Sequence, residues 1–385
     1  MFDWVHYQFP ARLYFERDST HKIGTFVREI GKRVLILAIQ NEVSNPDELA
    51  VIKTSIEKHT TGAILYDDII ERPMADDLDT ASYFIKQCNA DTILAYGGRE
   101  TFHAARSLAL LSQNEVFAAD IQDNLHALKK PPIPIVCVPN GPSMGEECVP
   151  VMGINFQRER NTWFNRDNRL YPGMVFVDPN VSASYSNPDM SRAGIAIMAA
   201  SIETALSRFA NEVTTSMALR SLELVARNLA TLVNDASNQA ARTHVSMASV
   251  LCGMAHSNSQ LGLGYSIAIA LSNVCGLHIE TGMGILLPHI MEYNLTTSAG
   301  KYVQIAKALE EDIKDITVIE AAIKAVEGVR KIFMELKIPQ RLSEFEIEKA
   351  DLPMVADQVS HLQFTKNAQR VLDRNEIETI LIAAY

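Results

Sequence analysis

Residues 91–106 read DTILAYGGRETFHAAR, and this stretch decides the class of fold. Residues 91–96 form a short apolar run, Gly97 and Gly98 form a turn, and the segment that follows has the apolar spacing of a helix. A strand, a glycine turn and a helix in this order let backbone amides at the start of the helix face a phosphate. Two glycines alone are more often an ordinary turn, so the neighbouring segments must decide.

Four further runs of the same kind occupy the first half of the chain. They are 33–39 (RVLILAI), 62–67 (GAILYD), 133–139 (IPIVCVP) and 174–178 (MVFVD). Each run is continuously apolar, as a strand that is covered by helices on both faces requires. Amphipathic stretches at 47–58 and 76–87 are predicted to be crossover helices of a parallel sheet. The first half is therefore predicted to be a Rossmann-like α/β domain.

The second half has a different texture. After about residue 187 the strand-like runs disappear, and Ala, Leu, Met and Ser dominate long stretches with helical spacing. Asn187, Pro188 and Asp189 provide the turn and capping residues that begin a helix. We therefore predict an α/β domain over residues 1–183 and an all-helical domain over residues 184–385.

Composition narrows the class of partner. The chain has 385 residues, of which 47% are hydrophobic and 21% charged, and its formal net charge is −11. Such a chain forms about two globular domains. Since no basic run is long enough to follow a phosphate backbone, nucleic acid and anionic membranes are poor partners, and a small-molecule substrate is expected.

Targeting signals and cysteines point to the cytoplasm. The N-terminal residues lack a positive region followed by an apolar stretch, and the most apolar long segment, 262–279, is too polar for a membrane span. That segment is predicted to be a buried helix. The five cysteines are scattered and contain no CxxC pair, which favours reduced thiols in the core over disulfides or a structural zinc site.

Seven segments, taken in order, resemble one known family. They are FPARLYF (9–15), residues 91–106, IPIVCVPNGPSMGEE (133–147), FVDPNVS (176–182), residues 194–203, SVLCGMAHSNSQLGLGYS (249–266) and TGMGILLPHIMEYN (281–294). Their order and spacing resemble the iron-containing alcohol dehydrogenases, which are related to dehydroquinate synthase and glycerol dehydrogenase. The resemblance implies an N-terminal domain that binds NAD(P), a helical domain that supplies a divalent metal, a substrate between the two, and self-association into a homo-oligomer.

The resemblance also assigns cofactor-binding residues. The family pattern GGGS-x-x-D-x-x-K falls on Gly97, Gly98, Arg99, Glu100, His103 and Arg106. The implied pyrophosphate contacts are Gly97, Gly98, Arg99 and Thr101 in the first loop and Asn140, Ser143 and Gly145 in the second.

Two departures from the family pattern affect the cofactor. Glu100 replaces a small hydroxyl residue, and its carboxylate would repel a pyrophosphate unless it turns away or pairs with Arg99, whose guanidinium is itself a potential phosphate ligand. Ile39 and Gln40 stand where the family often has an acidic residue for the adenosine ribose. NAD and NADP therefore both stay open.

The metal ligands that the family would supply are absent from this sequence. The helical motif of an Asp followed four residues later by a His falls on Ala196 and Ala200, and the two later histidines fall on Tyr265 and Thr281. Since none of these is Asp or His, we expect no divalent metal at the usual site. Glu203 matches a commonly acidic family position, with a purely structural carboxylate as the alternative.

Proton donors would then have to come from the protein. His256 falls where the family usually has an aromatic residue, and with Tyr265 it is predicted to protonate a developing alkoxide. The alternatives for His256 are a ring that fills space and bonds to backbone, or a new metal site with His278 or His103. The sequence thus predicts a metal-free NAD(P)-dependent alcohol or aldehyde oxidoreductase. The alternative is a catalytically silent homologue that binds a nucleotide, a metabolite or a protein partner.

Overall fold

The computed structural model describes residues 5–122, 127–368 and 370–385. The chain divides into two compact units. An α/β unit comprises Phe9–Gly141 and Glu146–Tyr185. A helical unit comprises Ser186–Tyr385, together with Pro142–Gly145 and the segment that ends at Gln8.

The α/β unit is built on a six-stranded sheet in the order β1-β8-β5-β4-β2-β3, whose neighbouring strands are all parallel. Its strands are β1 (Arg12–Phe15), β2 (Arg33–Leu37), β3 (Gly62–Tyr66), β4 (Thr92–Gly97), β5 (Ile135–Pro139) and β8 (Met174–Val177). The helices that connect them are α1 (Ile23–Val27), α2 (Pro46–His59), α3 (Ala75–Cys88) and α4 (Arg99–Leu111). The predicted α/β fold is confirmed, and the five predicted strands agree with the structure to within two residues.

The apolar strands form the core of this unit. Side chains of β2, β4, β5 and β8, including Val34, Leu94, Val136 and Phe176, form one buried cluster with α1 and α2. Because β2 and β4 are paired neighbours, their carboxyl ends lie at the same edge of the sheet. This adjacency places the segment after β2 beside the glycine turn after β4.

Three strands of this unit were not predicted from the pattern. β1 is a short strand at the edge of the sheet and is partly exposed. β6 (Val151–Phe156) and β7 (Asn161–Arg166) form a separate antiparallel hairpin. β7 has the sequence NTWFNR, whose polar residues do not give the apolar pattern of a strand. It forms a strand because it pairs with the mostly buried β6.

The helical unit confirms the predicted change of texture. It contains α5 (Asn187–Leu206), α6 (Glu212–Asn234), α7 (Gln239–Ser259), α8 (Leu263–Cys275), α9 (Ile279–Asn294), α10 (Ala299–Ala308), α11 (Val318–Glu335), α12 (Leu352–His361) and α13 (Arg374–Ala384). The hydroxyl of Ser186 caps α5 by accepting a hydrogen bond from the Asp189 amide at 3.3 Å. α8 is a mostly buried helix, and none of the helices in the described ranges meets the length and hydropathy that crossing a membrane requires.

The two outlying segments of the helical unit both pack on α7. The side chain of Asn258 accepts from the Gln8 amide at 2.8 Å and donates to the Gln8 carbonyl at 3.0 Å. A Cβ atom on Gly253 of α7 would lie 2.1 Å from the carbonyl oxygen of Gly145. The helix and the 142–145 loop therefore meet at backbone contact distance.

We expect Gly253→Ala to destabilise the protein, because the added methyl overlaps backbone atoms that have no room to move. Such overpacking typically costs about 1–3 kcal/mol. Gly300→Ala in α10 is the matched control, since a methyl group added there would enter open space, with no atom of a packed neighbour within 4 Å. Urea unfolding of the two variants measures the difference, and equal midpoints would contradict the close approach.

Candidate functional site

The glycine turn after β4 gathers four hydrogen-bond donors onto one anionic group. The backbone amides of Gly98 and Thr101 donate to Oε2 of Glu42 at 3.0 and 2.9 Å. The amide of Glu100 donates to Oε1 of Glu42 at 3.0 Å, and the Thr101 hydroxyl donates to Oε2 at 2.6 Å. We call these four donors the amide cradle. Because it lies at the positive end of α4, it has the chemistry of an anion site.

Glu42 reaches the cradle from a 3-10 turn, Gln40–Glu42, that follows β2. The amide of Gln40 donates to the carbonyl of Ile69 at 3.0 Å, and the amide of Asn41 donates to Ile70 at 2.8 Å. The turn therefore continues the pairing of β2 with the chain that follows β3. Sequence reasoning stopped at Ile39 and Gln40 and missed Glu42, although an acidic residue shortly after β2 was the available signal.

Asn140, a predicted cofactor residue, holds the same turn from the other side. Its side-chain amide donates to the backbone carbonyl of Glu42, and its Oδ1 accepts from the Tyr185 hydroxyl at 3.1 Å. In this structure Asn140 therefore positions the residue that fills the cradle.

The charges at the turn are arranged in two separate groups. Burial raises the pKa of Glu42, the Thr101 hydroxyl opposes this rise, and nearby Glu100 adds to it. Glu100 faces the other way and accepts from the Arg99 guanidinium at 2.8 Å. Burial alone would raise the pKa of Glu100, but the positive charges of Arg99 and, to a smaller extent, Arg72 outweigh it, so the pKa is lowered. Pairing with Arg99 is one of the two arrangements that sequence analysis left open for Glu100.

A buried polar cluster lies on and beside α4. His103 Nδ1 donates to the Val151 carbonyl at 3.0 Å, and burial lowers the His103 pKa to about 4, so the ring is neutral near pH 7. The Arg106 guanidinium donates to the Glu146 carbonyl at 2.6 Å. The carboxyl oxygens of Glu147 are buried and accept no hydrogen bond from another residue in the described ranges. Burial raises the pKa of Glu147 to about 7.

The buried carboxyl group of Glu147 should make the protein less stable as the pH rises from 4.5 to above 7. The pKa of Glu147 is about 7 in the folded protein, against 4.5 as the ordinary value, so the folded state binds more protons between these values. Its contribution is fully present below pH 4.5 and is lost towards pH 7, a change of about 3 kcal/mol. We expect Glu147→Gln to remove this loss. Urea unfolding of the wild type and of Glu147→Gln at pH 4.5 and pH 8 tests this expectation. If the two proteins differ in free energy of unfolding by the same amount at both pH values, Glu147 is not the group responsible.

The second predicted nucleotide loop is tied to α7. The Ser143 amide donates to the Ser249 hydroxyl at 3.0 Å, and His256 Nε2 donates to the Met144 carbonyl at 2.8 Å. Gly145 has φ +83° and packs against Gly253, where a side chain would collide with backbone. The structure thus brings together three predicted site residues, Ser143, Gly145 and His256, in one packed contact. The hydrogen bond of His256 to backbone is the structural alternative that the sequence left open.

Tyr265 and Glu203 meet at the start of α8. Glu203 accepts from the amides of Gly262 and Tyr265 at 3.2 and 3.3 Å and also binds the Gly264 amide. It is therefore a structural carboxylate that caps a helix. The Tyr265 ring is 3% exposed and packs edge-on against Phe364, with 5.2 Å between ring centroids.

The residues at the implied metal positions do not fit a metal. Ala196 and Ala200 present buried methyl groups on α5, while Tyr265 and Thr281 lie in the first turns of α8 and α9. Within residues 5–122, 127–368 and 370–385, no three side chains of His, Cys, Asp or Glu are grouped as a metal ion requires. This holds for His103, His256 and His278 as well.

Comparison with known families agrees with this fold. The model of the iron-containing alcohol dehydrogenases matches residues 10–179, and the model of the C-terminal domain of the Fe-containing alcohol dehydrogenase family matches residues 191–385. The chain therefore belongs to the iron-containing alcohol dehydrogenase family, a family of alcohol and aldehyde oxidoreductases.

Individual relatives are distant but match over almost their whole length. The chain is 24% identical to 1,3-propanediol dehydrogenase of Citrobacter freundii, covering 93% of this chain and 92% of that protein. It is 23% identical to the NAD-dependent methanol dehydrogenase of Bacillus methanolicus, covering 97% of each. A crystal structure of 1,3-propanediol oxidoreductase superimposes with a TM-score of 0.93 at 21% identity and covers 100% of both chains.

The contact between His256 and Met144 yields a stability prediction. We expect His256→Phe to lower the free energy of unfolding by about 1–3 kcal/mol, because the buried Met144 carbonyl loses its donor. His256→Gln is the matched control, since its amide nitrogen can occupy the position of Nε2 and restore most of the stability. Thermal unfolding separates the two variants, and a Phe variant as stable as the wild type would show that the hydrogen bond contributes nothing.

Proposed function

We propose that the protein is an NAD(P)-dependent oxidoreductase that interconverts an alcohol and an aldehyde or related carbonyl compound, without a divalent metal. The observation that carries the proposal is the amide cradle. Its donors converge on an anionic group at the turn that the family resemblance assigns to the pyrophosphate, and donors that bind a carboxylate also suit a phosphate. The family and its NAD-dependent relatives support the same reaction class.

The proposed cofactor is either NAD or NADP. Ile39 is fully buried, and the side chain of Gln40 donates to the Asp67 carbonyl at 2.7 Å. Neither residue offers the carboxylate that would bind a free ribose hydroxyl and repel a 2′-phosphate.

The protein must supply a proton in the proposed reaction. When bound, the reduced nicotinamide supplies the hydride that adds to the carbonyl carbon. The carbonyl oxygen then needs a proton, which we assign to the phenol of Tyr265. His256 is the weaker of the two predicted donors because its Nε2 proton is already donated to the Met144 carbonyl.

Turnover of Tyr265→Phe tests the assignment. We expect kcat for aldehyde reduction to fall by about 10²–10⁴, the usual contribution of a positioned proton donor, with little change in the Kd for NADH. Aldehyde-dependent NADH oxidation and NADH fluorescence titration measure the two quantities, with and without EDTA. Unchanged kcat would remove Tyr265 from the mechanism, and activity lost to EDTA would contradict the metal-free proposal.

A catalytically silent homologue is the second candidate, and one observation favours it. The carboxylate of Glu42 takes all four donors of the cradle, as expected of a protein that no longer binds a dinucleotide. Wild-type protein that binds neither NADH nor NADPH and reduces no aldehyde would favour this candidate.

A further inference from the structure

We propose that Glu42 is an internal ligand of the amide cradle, which the pyrophosphate of a dinucleotide must displace in order to bind. This inference rests on the proposed function for the identity of the incoming ligand. The position of Glu42 itself is a property of the fold and is independent of that ligand.

The first argument is the completeness of the contact. The two carboxylate oxygens accept all four donors of the cradle at distances of 2.6 to 3.0 Å. Hydrogen bonds of this kind are strengthened by the charge of the acceptor. A phosphate oxygen would need the same donors, so Glu42 and a pyrophosphate cannot both occupy the cradle.

The second argument is the fit between the carboxylate and the glycines. A Cβ atom on Gly98 would lie 2.9 Å from Oε1 of Glu42, and one on Gly97 would lie 3.3 Å from Oε2. The lack of side chains is what lets the carboxylate approach the backbone so closely. A pyrophosphate bound at a glycine turn needs the same close approach, so Glu42 occupies the space that the family resemblance assigns to the cofactor.

The third argument concerns the part of Glu42 that must move, because the backbone of its turn is held by hydrogen bonds. Asn140 binds the Glu42 carbonyl, and the amides of Gln40 and Asn41 bind the chain after β3. Only the side-chain torsions of Glu42 must change to empty the cradle. Glu42 therefore acts as a latch. The apparent Kd for a dinucleotide equals the intrinsic Kd divided by the fraction of molecules in which Glu42 has left the cradle.

Removal of the carboxylate is the direct test. We expect Glu42→Ala to bind NADH with a Kd lower than that of the wild type by at least about tenfold, with Glu42→Gln between the two. Asp68→Ala and Asp68→Asn are matched controls, since exposed Asp68 lies shortly after neighbouring β3 and its removal changes the net charge equally. These controls should leave the Kd unchanged.

A second readout does not depend on the dinucleotide. Glu42→Ala leaves the cradle donors without their anion, so its Tm should fall, and inorganic pyrophosphate should raise it again. The wild type and both Asp68 variants should respond much less to pyrophosphate. Glu42→Gln keeps the shape of the side chain and serves if the Ala variant does not fold.

The outcomes separate the latch from the proposed function. Equal NADH affinity in wild type and both Glu42 variants overturns the latch and leaves the oxidoreductase in place. If pyrophosphate raises the Tm of Glu42→Ala but neither the wild type nor any variant binds NADH or NADPH, the latch is supported. The proposal that the protein uses a dinucleotide cofactor is then overturned. Failure of pyrophosphate and NADH to bind any Glu42 variant overturns the latch.

Discussion

The structure of the candidate site depends on one constraint: backbone amides at the start of a buried helix need an acceptor. The amides at the start of α4 find theirs in the carboxylate of Glu42, on the neighbouring strand's loop. Each hydrogen bond to a charged group contributes about 1.5–3 kcal/mol and so opposes the cost of burying the carboxylate, although the Glu42 pKa stays raised. This contact joins the ends of β2 and β4, and Asn140 and Tyr185 extend it to the ends of β5 and β8.

The same device occurs again in the helical unit. Glu203 extends from near the end of α5 to the amides that begin α8, as Glu42 does for α4. In both cases burial raises the carboxyl pKa and the backbone amides oppose the rise. Internal carboxylates thus occupy two helix starts, and the positive ends of those helices are used for folding.

The family match therefore says more about the fold of this chain than about its catalytic groups. Buried methyl groups stand at two of the implied metal positions, Ala196 and Ala200, and Ser249 and His256 bind the backbone of the 142–145 loop. The parallel sheet and the helical unit are the fold of the family.

Sequence by itself determined the class of fold, because continuous apolar runs and helical spacing report which faces of each element are buried. The strands at 33–39 and 174–178, for example, were predicted without tertiary information. It also located the glycine turn between β4 and α4. Only the tertiary structure decided what fills the turn, since Glu42 lies 56 residues from Gly98 along the chain and reaches it only because β2 and β4 are paired. The tie between His256 and Met144 likewise spans 112 residues. A periodic pattern indicates which residues of one strand or helix are buried. A hydrogen bond between distant segments depends on how the strands and helices are arranged in space, and no local pattern encodes that arrangement.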